Sequence, residues 1–203
     1  MAIGLRLSDE VIRVAVGFRL GCITCQPHIC NCGAMVDARG LHGLSCRKSG
    51  PRHARHSQLN DLIWRAVKRA QIPATKEPIG LSRIDGKRPD GATLIPWKRG
   101  KPLAWDVTVP DTYAASYLAE TAESAGAAAN KAAANKISKY STLATTHHFV
   151  PISVETGEPW NPESSEFIAE LGKRISQITL ESNHWKHNFF FKGCPYRCRE
   201  ETN

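Results

Sequence analysis

The chain has 203 residues, a length that suits one domain of ordinary size with at most a small appendage. A hydrophobic fraction of 41% and a charged fraction of 23% exclude a disordered composition. Lys and Arg number 27 against 19 Asp and Glu, giving a formal charge of +8. This excess favours a nucleic-acid partner over the simpler alternative, a solvated basic surface.

No apolar run approaches the ~20 residues that a membrane-spanning helix needs. The first residues also lack the basic, apolar and small-residue regions of a signal peptide. We therefore expect an intracellular protein with no membrane partner. In that compartment the seven cysteines are better explained as metal ligands or free thiols than as disulfides.

The N-terminal elements are a capped helix and a region without periodicity. Ser8 is a suitable N-cap for DEVIRVAVGFRL, and Gly21 ends that helix. Residues 22–46 are rich in Cys and Gly and form no periodic element, and residues 47–56 form a basic connector. From Ser57, the apolar residues of LNDLIWRAVKRAQI lie on one face of a helix that ends before Pro73.

The remaining elements alternate between strands and helices. The turn KRGK predicts that the second and third strands form a hairpin. The long Ala-rich helix carries Gly126, which weakens its first part. The predicted strands are 74–81, 88–97, 102–109 and 147–156, and the predicted helices cover at least 121–141 and then 164–180.

This order predicts an α/β fold, with an α-β-β-β-α-β core preceded by a small zinc-binding element. We divide the chain into an N-terminal helix that ends a preceding domain, a zinc element, the α/β domain and an irregular tail. Their ranges are 1–21, 22–50, 51–182 and 183–203.

The zinc element is the stretch CITCQPHICNCGAMVDARGLHGLSC, with five cysteines and two histidines in 25 residues. Zinc prefers four Cys or His ligands in a tetrahedron, and a closed set of four predicts a structural site. Cys25 can replace either cysteine of the C-x-C pair, and Cys22 is a weaker substitute. The alternative for some of these residues is a buried free thiol. The tightest set of ligands is Cys30, Cys32, His42 and Cys46.

Basic clusters flank the acidic positions of the chain. We expect them to contact the phosphates of a nucleic acid. The candidates are Arg47, Lys48, Arg52, Arg55, Lys87 and Arg88.

Two aspartates lie in or beside apolar strands. Asp90 precedes ATLIPW, and Asp106 lies inside PLAWDVTV, with fifteen residues between the two aspartates. A lone buried carboxylate costs several kcal/mol, so a pair on two strands of one hairpin predicts a shared divalent metal. The alternative for Asp90 is an ordinary Pro-Asp-Gly turn.

The order of these motifs resembles the PD-(D/E)xK nuclease core. Pro89 and Asp90 precede the hairpin, and Asp106 follows its turn, between a preceding helix and a following one. The lysine usual two residues after the second acid is missing, and Thr108 occupies its position.

The helix that follows carries a second motif, Lys136-x-x-Lys139-Tyr140. A PD…D pair without a strand lysine, a K-x-x-K-Y helix and an upstream CCHC zinc element together resemble one nuclease family. It is the restriction-like endonuclease domain at the C-terminal end of early-branching non-LTR retrotransposon polyproteins. The resemblance covers roughly residues 22–156.

The resemblance implies a restriction-endonuclease-like core with a mixed sheet and an Mg²⁺- or Mn²⁺-dependent endodeoxyribonuclease activity. Asp90 and Asp106 would hold the metal, and Lys136 or Lys139 would stabilise the transition state. From its position four residues after Lys136, Tyr140 can hydrogen-bond the scissile phosphate or pack beneath it. Nicking of target DNA would then prime reverse transcription in the nucleus. Element RNA would be a further partner, and full-length relatives would carry a reverse transcriptase domain upstream, so this chain would be a detached or truncated piece.

Read from the residues alone, Lys136 and Lys139 lie on one helix face, where either ammonium can orient water or offset phosphate charge. A solvated helix face is the alternative. Lys131 is a further candidate with less support. Glu77 and Glu155 are ambiguous between a third carboxylate and turn residues, and for Glu77 we favour the turn. We interpret two histidines as phosphate contacts or helix-start residues rather than general bases, namely His53 and His56.

Overall fold

The computed structural model describes residues 8–46, 48, 50–82 and 85–179. Contacts within this part divide the chain into two compact units, which separate after His53. The predicted tail, 183–203, lies outside the described residues. Among the helices that are described, none is long and apolar enough to cross a membrane.

The first unit begins with helix α1, Asp9–Leu20. The Ser8 hydroxyl accepts a hydrogen bond from the Val11 N–H at 3.3 Å, and Gly21 ends the helix with φ 66°. Both ends confirm the prediction, since a hydroxyl satisfies a free N–H at the start and glycine adopts the left-handed conformation at the end.

Short elements follow α1 where the sequence predicted no periodic structure. Strands β1, His28–Ile29, and β2, Met35–Val36, pair antiparallel, and the short helix α2 covers His42–Ser45. Two-residue strands and one helical turn are too short to produce a recognisable hydrophobic period.

Helix α3, Gly50–Arg69, is longer than predicted. The sequence assigned residues 47–56 to a basic connector, but the helix already includes residues 50–56. Proline at position 51 is compatible with this start, because the first turn of a helix does not use its own N–H groups. The basic residues hid the helix because they supply no apolar period.

A four-stranded mixed sheet forms the centre of the second unit. Its strands are β3, Ala74–Lys76, β4, Gly91–Lys98, β5, Lys101–Thr108, and β6, His148–Ser153, in the order β3-β4-β5-β6. The first three pair antiparallel, and β5 and β6 pair parallel. The predicted hairpin is confirmed, with Arg99 and Gly100 at positive φ values of 51° and 73° in its turn.

The strand predicted at 74–81 is shorter than expected. Only Ala74–Lys76 forms a strand, and Ile79–Leu81 is a 3₁₀ turn. Pro78 lacks the N–H that a ladder requires, so the chain leaves the sheet before it.

Strand β5 is covered on both faces. Every residue from Leu103 to Val107 is buried, and successive side chains of a strand point to opposite faces of the sheet. Trp105 has no exposed surface and donates from its indole N–H to Asn60 Oδ1 of α3 at 2.9 Å. Full burial of a side chain of this kind stabilises the fold by about 1.5–3 kcal/mol.

The crossover from β5 to β6 contains two helices instead of the single one predicted at 121–141. Helix α4 covers Leu118–Glu123 and α5 covers Ala127–Lys139, and Gly126 between them has φ 86°. A parallel pair of strands needs such a crossover. Helix α6, Pro162–Thr179, then packs on the unit through Phe167, Ile168 and Leu171. Ile178, which the apolar pattern also places inward, is 40% exposed.

Candidate functional site

The Cys/His cluster is built by the small hairpin and α2. Cys30 follows β1, and the turn after it is closed by hydrogen bonds from Gly33 N to Cys30 O at 2.7 Å and from Cys30 N to Ala34 O at 2.9 Å. His42 begins α2, and Cys46 follows it directly. The backbone thus brings two short segments, distant in sequence, to one point.

The four predicted ligand atoms lie within 4.8 Å of one another. Cys30 Sγ and Cys46 Sγ are 3.7 Å apart, and Cys32 Sγ lies 3.2 Å from His42 Nε2. A tetrahedral zinc ion with Zn–S of about 2.3 Å and Zn–N of about 2.0–2.1 Å would separate such pairs by about 3.5–3.8 Å. The cluster can therefore hold a metal ion such as zinc.

The pKa shifts of the cysteine thiols favour metal binding at Cys32 but not at Cys46. A backbone hydrogen bond from Ala34, with further ones from neighbouring ligands, lowers the pKa of Cys32 to about 6, although burial opposes it. Burial raises the pKa of Cys46. Metal binding requires thiolates, so Cys32 is the member best prepared for it.

The two alternative cysteines lie outside this cluster. Cys25 directs its thiol to the backbone oxygen of Asp37 at 3.3 Å, and Cys22 is exposed. The geometry therefore chooses among ligand sets that the sequence left open.

The two aspartates converge as the hairpin predicted. Asp90 precedes β4, and Asp106 lies in β5 beside Trp105, the cross-strand partner of Gly91. Asp90 Oδ2 accepts a hydrogen bond from the Val107 N–H at 2.6 Å, so its carboxylate reaches across to the neighbouring strand. Val107 directly follows Asp106 in β5, so the Asp90 carboxylate lies beside the backbone of Asp106.

This pair is largely removed from water, with 16% of the Asp90 side chain and 5% of the Asp106 side chain exposed. Burial and the charge of Asp90 raise the pKa of Asp106, against the opposing effect of Lys136 and Lys139. Burial also disfavours the charged form of Asp90, but hydrogen bonds from His56 and Val107 hold its pKa below the ordinary value. The opposite shifts show two carboxyl groups sharing one small site.

Helix α5 directs its last turn at the aspartates. Lys136 Nζ donates to Asp106 Oδ2 at 2.8 Å, and Lys139 Nζ lies 4.0 Å from the same oxygen. Lys139 Nζ also donates to the Tyr140 hydroxyl at 2.7 Å. That hydroxyl donates in turn to Arg88 O at 2.8 Å. Of the predicted catalytic residues, the two lysines contact the acid pair, and Tyr140 fixes the loop before Asp90.

His56 is a member of this site that the sequence interpretation missed. Its Nε2 lies 3.0 Å from Asp90 Oδ2, and this hydrogen bond raises the pKa of His56. Asn60, one helical turn later, donates to Asp90 O at 3.4 Å. We had interpreted His56 as a phosphate contact or helix-start residue. The i, i+4 spacing of His56 and Asn60 was the available signal, but it became readable only once α3 was known to begin before residue 56.

The other candidates lie elsewhere. Glu77 pairs with Arg88 at the surface, and its N–H donates to Asp90 O at 3.0 Å, which supports the turn interpretation. Glu155 is buried and accepts from the Ala129 N–H at 3.1 Å in the first turn of α5. Lys131 pairs with Glu120 at 2.8 Å, and His53 is exposed.

The predicted phosphate contacts have mixed outcomes. Lys48 and Lys87 are exposed, and so is Arg88, which pairs with Glu77. Arg55 is only 6% exposed, so the structure does not support its predicted phosphate contact. Arg47 and the side chain of Arg52 lie outside the described residues.

No protein-family model and no curated protein matches this chain.

Proposed function

We propose that the chain is a metal-dependent DNA endonuclease domain with a restriction-endonuclease-like core, of the kind found in non-LTR retrotransposons. The observation that carries the proposal is the convergence of Asp90, Asp106 and Lys136 at one buried point. A mixed sheet with an antiparallel hairpin, a crossover helix and a parallel strand supports it at the level of fold.

The donor set suits magnesium or manganese. Asp90 and Asp106 provide carboxylate oxygens, and Mg²⁺ typically binds one or two carboxylates and retains several waters. The ion would supply Lewis-acid activation of the phosphodiester when it is bound. The raised pKa of Asp106 is the electrostatic sign of a pair that a cation would stabilise.

The surrounding side chains have separate roles in this proposal. The ammonium of Lys136 or Lys139 offsets the negative charge that develops on the phosphate. The hydrogen bond from His56 orients the Asp90 carboxylate. Tyr140 holds the backbone of Arg88, which fixes the approach of Pro89 and Asp90 to the site. The Cys/His cluster would bind zinc in a structural role.

The same proposal assigns the chain's biological setting. Nicking of target DNA would expose a 3′-hydroxyl that primes reverse transcription, with element RNA as a second partner. The reaction would take place in the nucleus, and a reverse transcriptase domain would lie upstream in full-length relatives.

A nicking assay on supercoiled plasmid with Mg²⁺ or Mn²⁺ tests the activity. Replacing both aspartates by Asn keeps the side-chain size and removes two charges, and we expect nicking to fall to background. The control variant, Asp85→Asn with Glu120→Gln, makes the same charge change at exposed positions and should retain activity. Unchanged nicking by the Asp90→Asn, Asp106→Asn variant would refute the assignment.

One observation favours a second candidate, a non-catalytic DNA- or RNA-binding module on a decayed nuclease scaffold. Asp106 is already paired with Lys136, and Asp90 is hydrogen-bonded to His56, so protein groups already contact both carboxylates. Salt-sensitive binding of nucleic acid without any metal-dependent cleavage would select this function.

A further inference from the structure

A basic groove lies at the opposite end of the hairpin from Asp90. It has a volume of about 430 Å³ and lies between the β4–β5 turn, the end of α5 and the start of β6. This volume falls within the range of about 300–1,000 Å³ that ligand sites usually have. All of the groove belongs to the second unit.

The charges around the groove favour an anion. Lys98, Arg99 and Lys101 line it, and Glu163 is its only acidic lining residue among those described. Lys98 and Arg99 are exposed at the hairpin turn, while Lys101 donates to Ala144 O at 2.7 Å. Three cations against one carboxylate leave a net positive charge beside a narrow apolar wall.

Two histidines in the groove wall do not add to this charge at neutral pH. Burial lowers the pKa of His147, and burial with the nearby charges of Lys98 and Arg99 lowers the pKa of His148. Both rings therefore remain neutral hydrogen-bonding groups beside the cations.

The apolar wall contains Ile137, Tyr140 and Phe149. The two aromatic rings contact each other with centroids 5.0 Å apart, and Phe149 is partly exposed. Proteins that bind single strands combine a cationic track with aromatic surfaces of this kind, because every base has a face that can stack.

Tyr140 connects the groove to the aspartate pair. Its ring lines the groove, while its hydroxyl is hydrogen-bonded to Lys139 and to Arg88 O. Along the sheet, Asp106 pairs with Pro151 and Leu103 with His148. The cations of the groove lie further along: Lys101, the cross-strand partner of Lys98, is five residues from Asp106, about 17 Å. A single strand of several nucleotides can span this distance.

We infer that this groove binds the phosphates of a single nucleic-acid strand several nucleotides from the cleaved bond. The inference rests on the proposed nuclease function for the position of the strand, but the binding itself can be measured without cleavage. Lys98 and Arg99 contact the phosphates. The partly exposed Phe149 ring contacts a base, since Tyr140 is only 1% exposed.

The test uses the full chain, without added Mg²⁺ or Mn²⁺, and a fluorescein-labelled oligodeoxythymidylate of about 12 nucleotides, within the range of common single-strand sites. Fluorescence anisotropy is measured over a series of NaCl concentrations, and oligouridylate gives a parallel RNA arm. The variant is Lys98→Gln with Arg99→Asn, because Asn tolerates the positive φ of position 99. The control is Lys68→Gln with Lys173→Gln, which removes two exposed charges elsewhere.

We expect the groove variant to weaken binding about tenfold and to reduce the steepness of log K against log[NaCl] by about 1.4, or 0.7 for each lost phosphate contact. The control should change the slope by less than half as much. Equal effects of the two variants, or no measurable binding by the unmodified chain, would overturn the inference. If the groove variant weakens binding of the DNA and RNA oligonucleotides equally, the groove recognises the backbone. If it weakens binding of neither, the inference is refuted.

The plasmid assay separates this inference from the proposed function. Binding that depends on the groove, together with absent nicking, refutes the nuclease and leaves the groove. If nicking requires Asp90 and Asp106 but binding does not depend on the groove, the nuclease proposal stands and the groove inference is refuted.

Discussion

Replacing Lys136 by Met removes the ammonium that lies 2.8 Å from Asp106 Oδ2 and keeps an unbranched side chain. The structure predicts two separate effects of this change. One concerns the stability of the metal-free protein, and the other concerns the rate of cleavage.

The stability effect follows from the burial of Asp106. Breaking a buried ion pair by removing one partner costs about 3–5 kcal/mol. Lys139 remains 4.0 Å from the same oxygen, and Asp106 can take up a proton. These two compensations bring the expected loss to about 1–3 kcal/mol. Because Lys136 lowers the pKa of Asp106, its removal raises that pKa further, so metal binding is lost at a higher pH as the solution is acidified.

The effect on rate depends on transition-state charge. Loss of one well-placed cation or hydrogen-bond donor typically reduces the rate about 10²–10³-fold. The variant has one fewer cation competing with Mg²⁺ for the aspartates, so at a pH high enough to ionise both of them we expect Mg²⁺ to bind at least as tightly as before. A loss of rate without a loss of metal affinity is the specific signature of this role.

The assay is nicking of supercoiled plasmid at saturating Mg²⁺, with metal affinity measured by titration calorimetry and stability by urea unfolding without added Mg²⁺. Lys131→Met is the control on the same helix, because that lysine pairs with the exposed Glu120. Nicking at the unmodified rate by Lys136→Met, at saturating metal, would refute the idea that this amine replaces the missing strand lysine.

Two further predictions concern the framework of the two sites. Removing zinc with a chelator, or replacing Cys46 by Ser, should abolish a stoichiometric zinc content and the hydrogen-exchange protection of β1, β2 and α2, because few apolar side chains there are buried. Cys22→Ser is the control, and full zinc retention by Cys46→Ser would contradict the ligand set. Gly91→Ala places a methyl group against the Trp105 ring and should destabilise the protein by about 1–3 kcal/mol, measured by thermal unfolding. Gly80→Ala is the control, because the space around Gly80 is open. Equal melting temperatures for the two variants would show that the ring can move aside.

Much of the fold could be predicted from local sequence. The hairpin is readable because two apolar runs flank a Gly-containing turn, and α1 and α6 are readable because each carries a cap and an apolar period. The start of α3 was missed because its first turns are basic. The crossover was predicted as one helix, since the cost of Gly126 in a helix does not reveal whether the chain will use its positive φ to start a new one.

The sequence also named the principal members of both candidate sites, but not their complete composition. Residue type and spacing were sufficient to single out Asp90, Asp106 and the Lys136-x-x-Lys139-Tyr140 helix. His56 could not be placed beside Asp90, because 34 residues separate them in the chain. Arg55, its neighbour, looked equally suited to contact phosphate and is buried.

By itself, then, the sequence determined the hairpin, the capped helices and which side chains have chemistry to offer, because turns, caps and hydrophobic periods act over a few residues. Only the tertiary structure decided which cysteines share one point, which face of α3 meets the aspartates, and that the cations of the β4–β5 turn border an aromatic groove. These outcomes depend on strand register and helix packing, where a shift of one residue redirects every side chain.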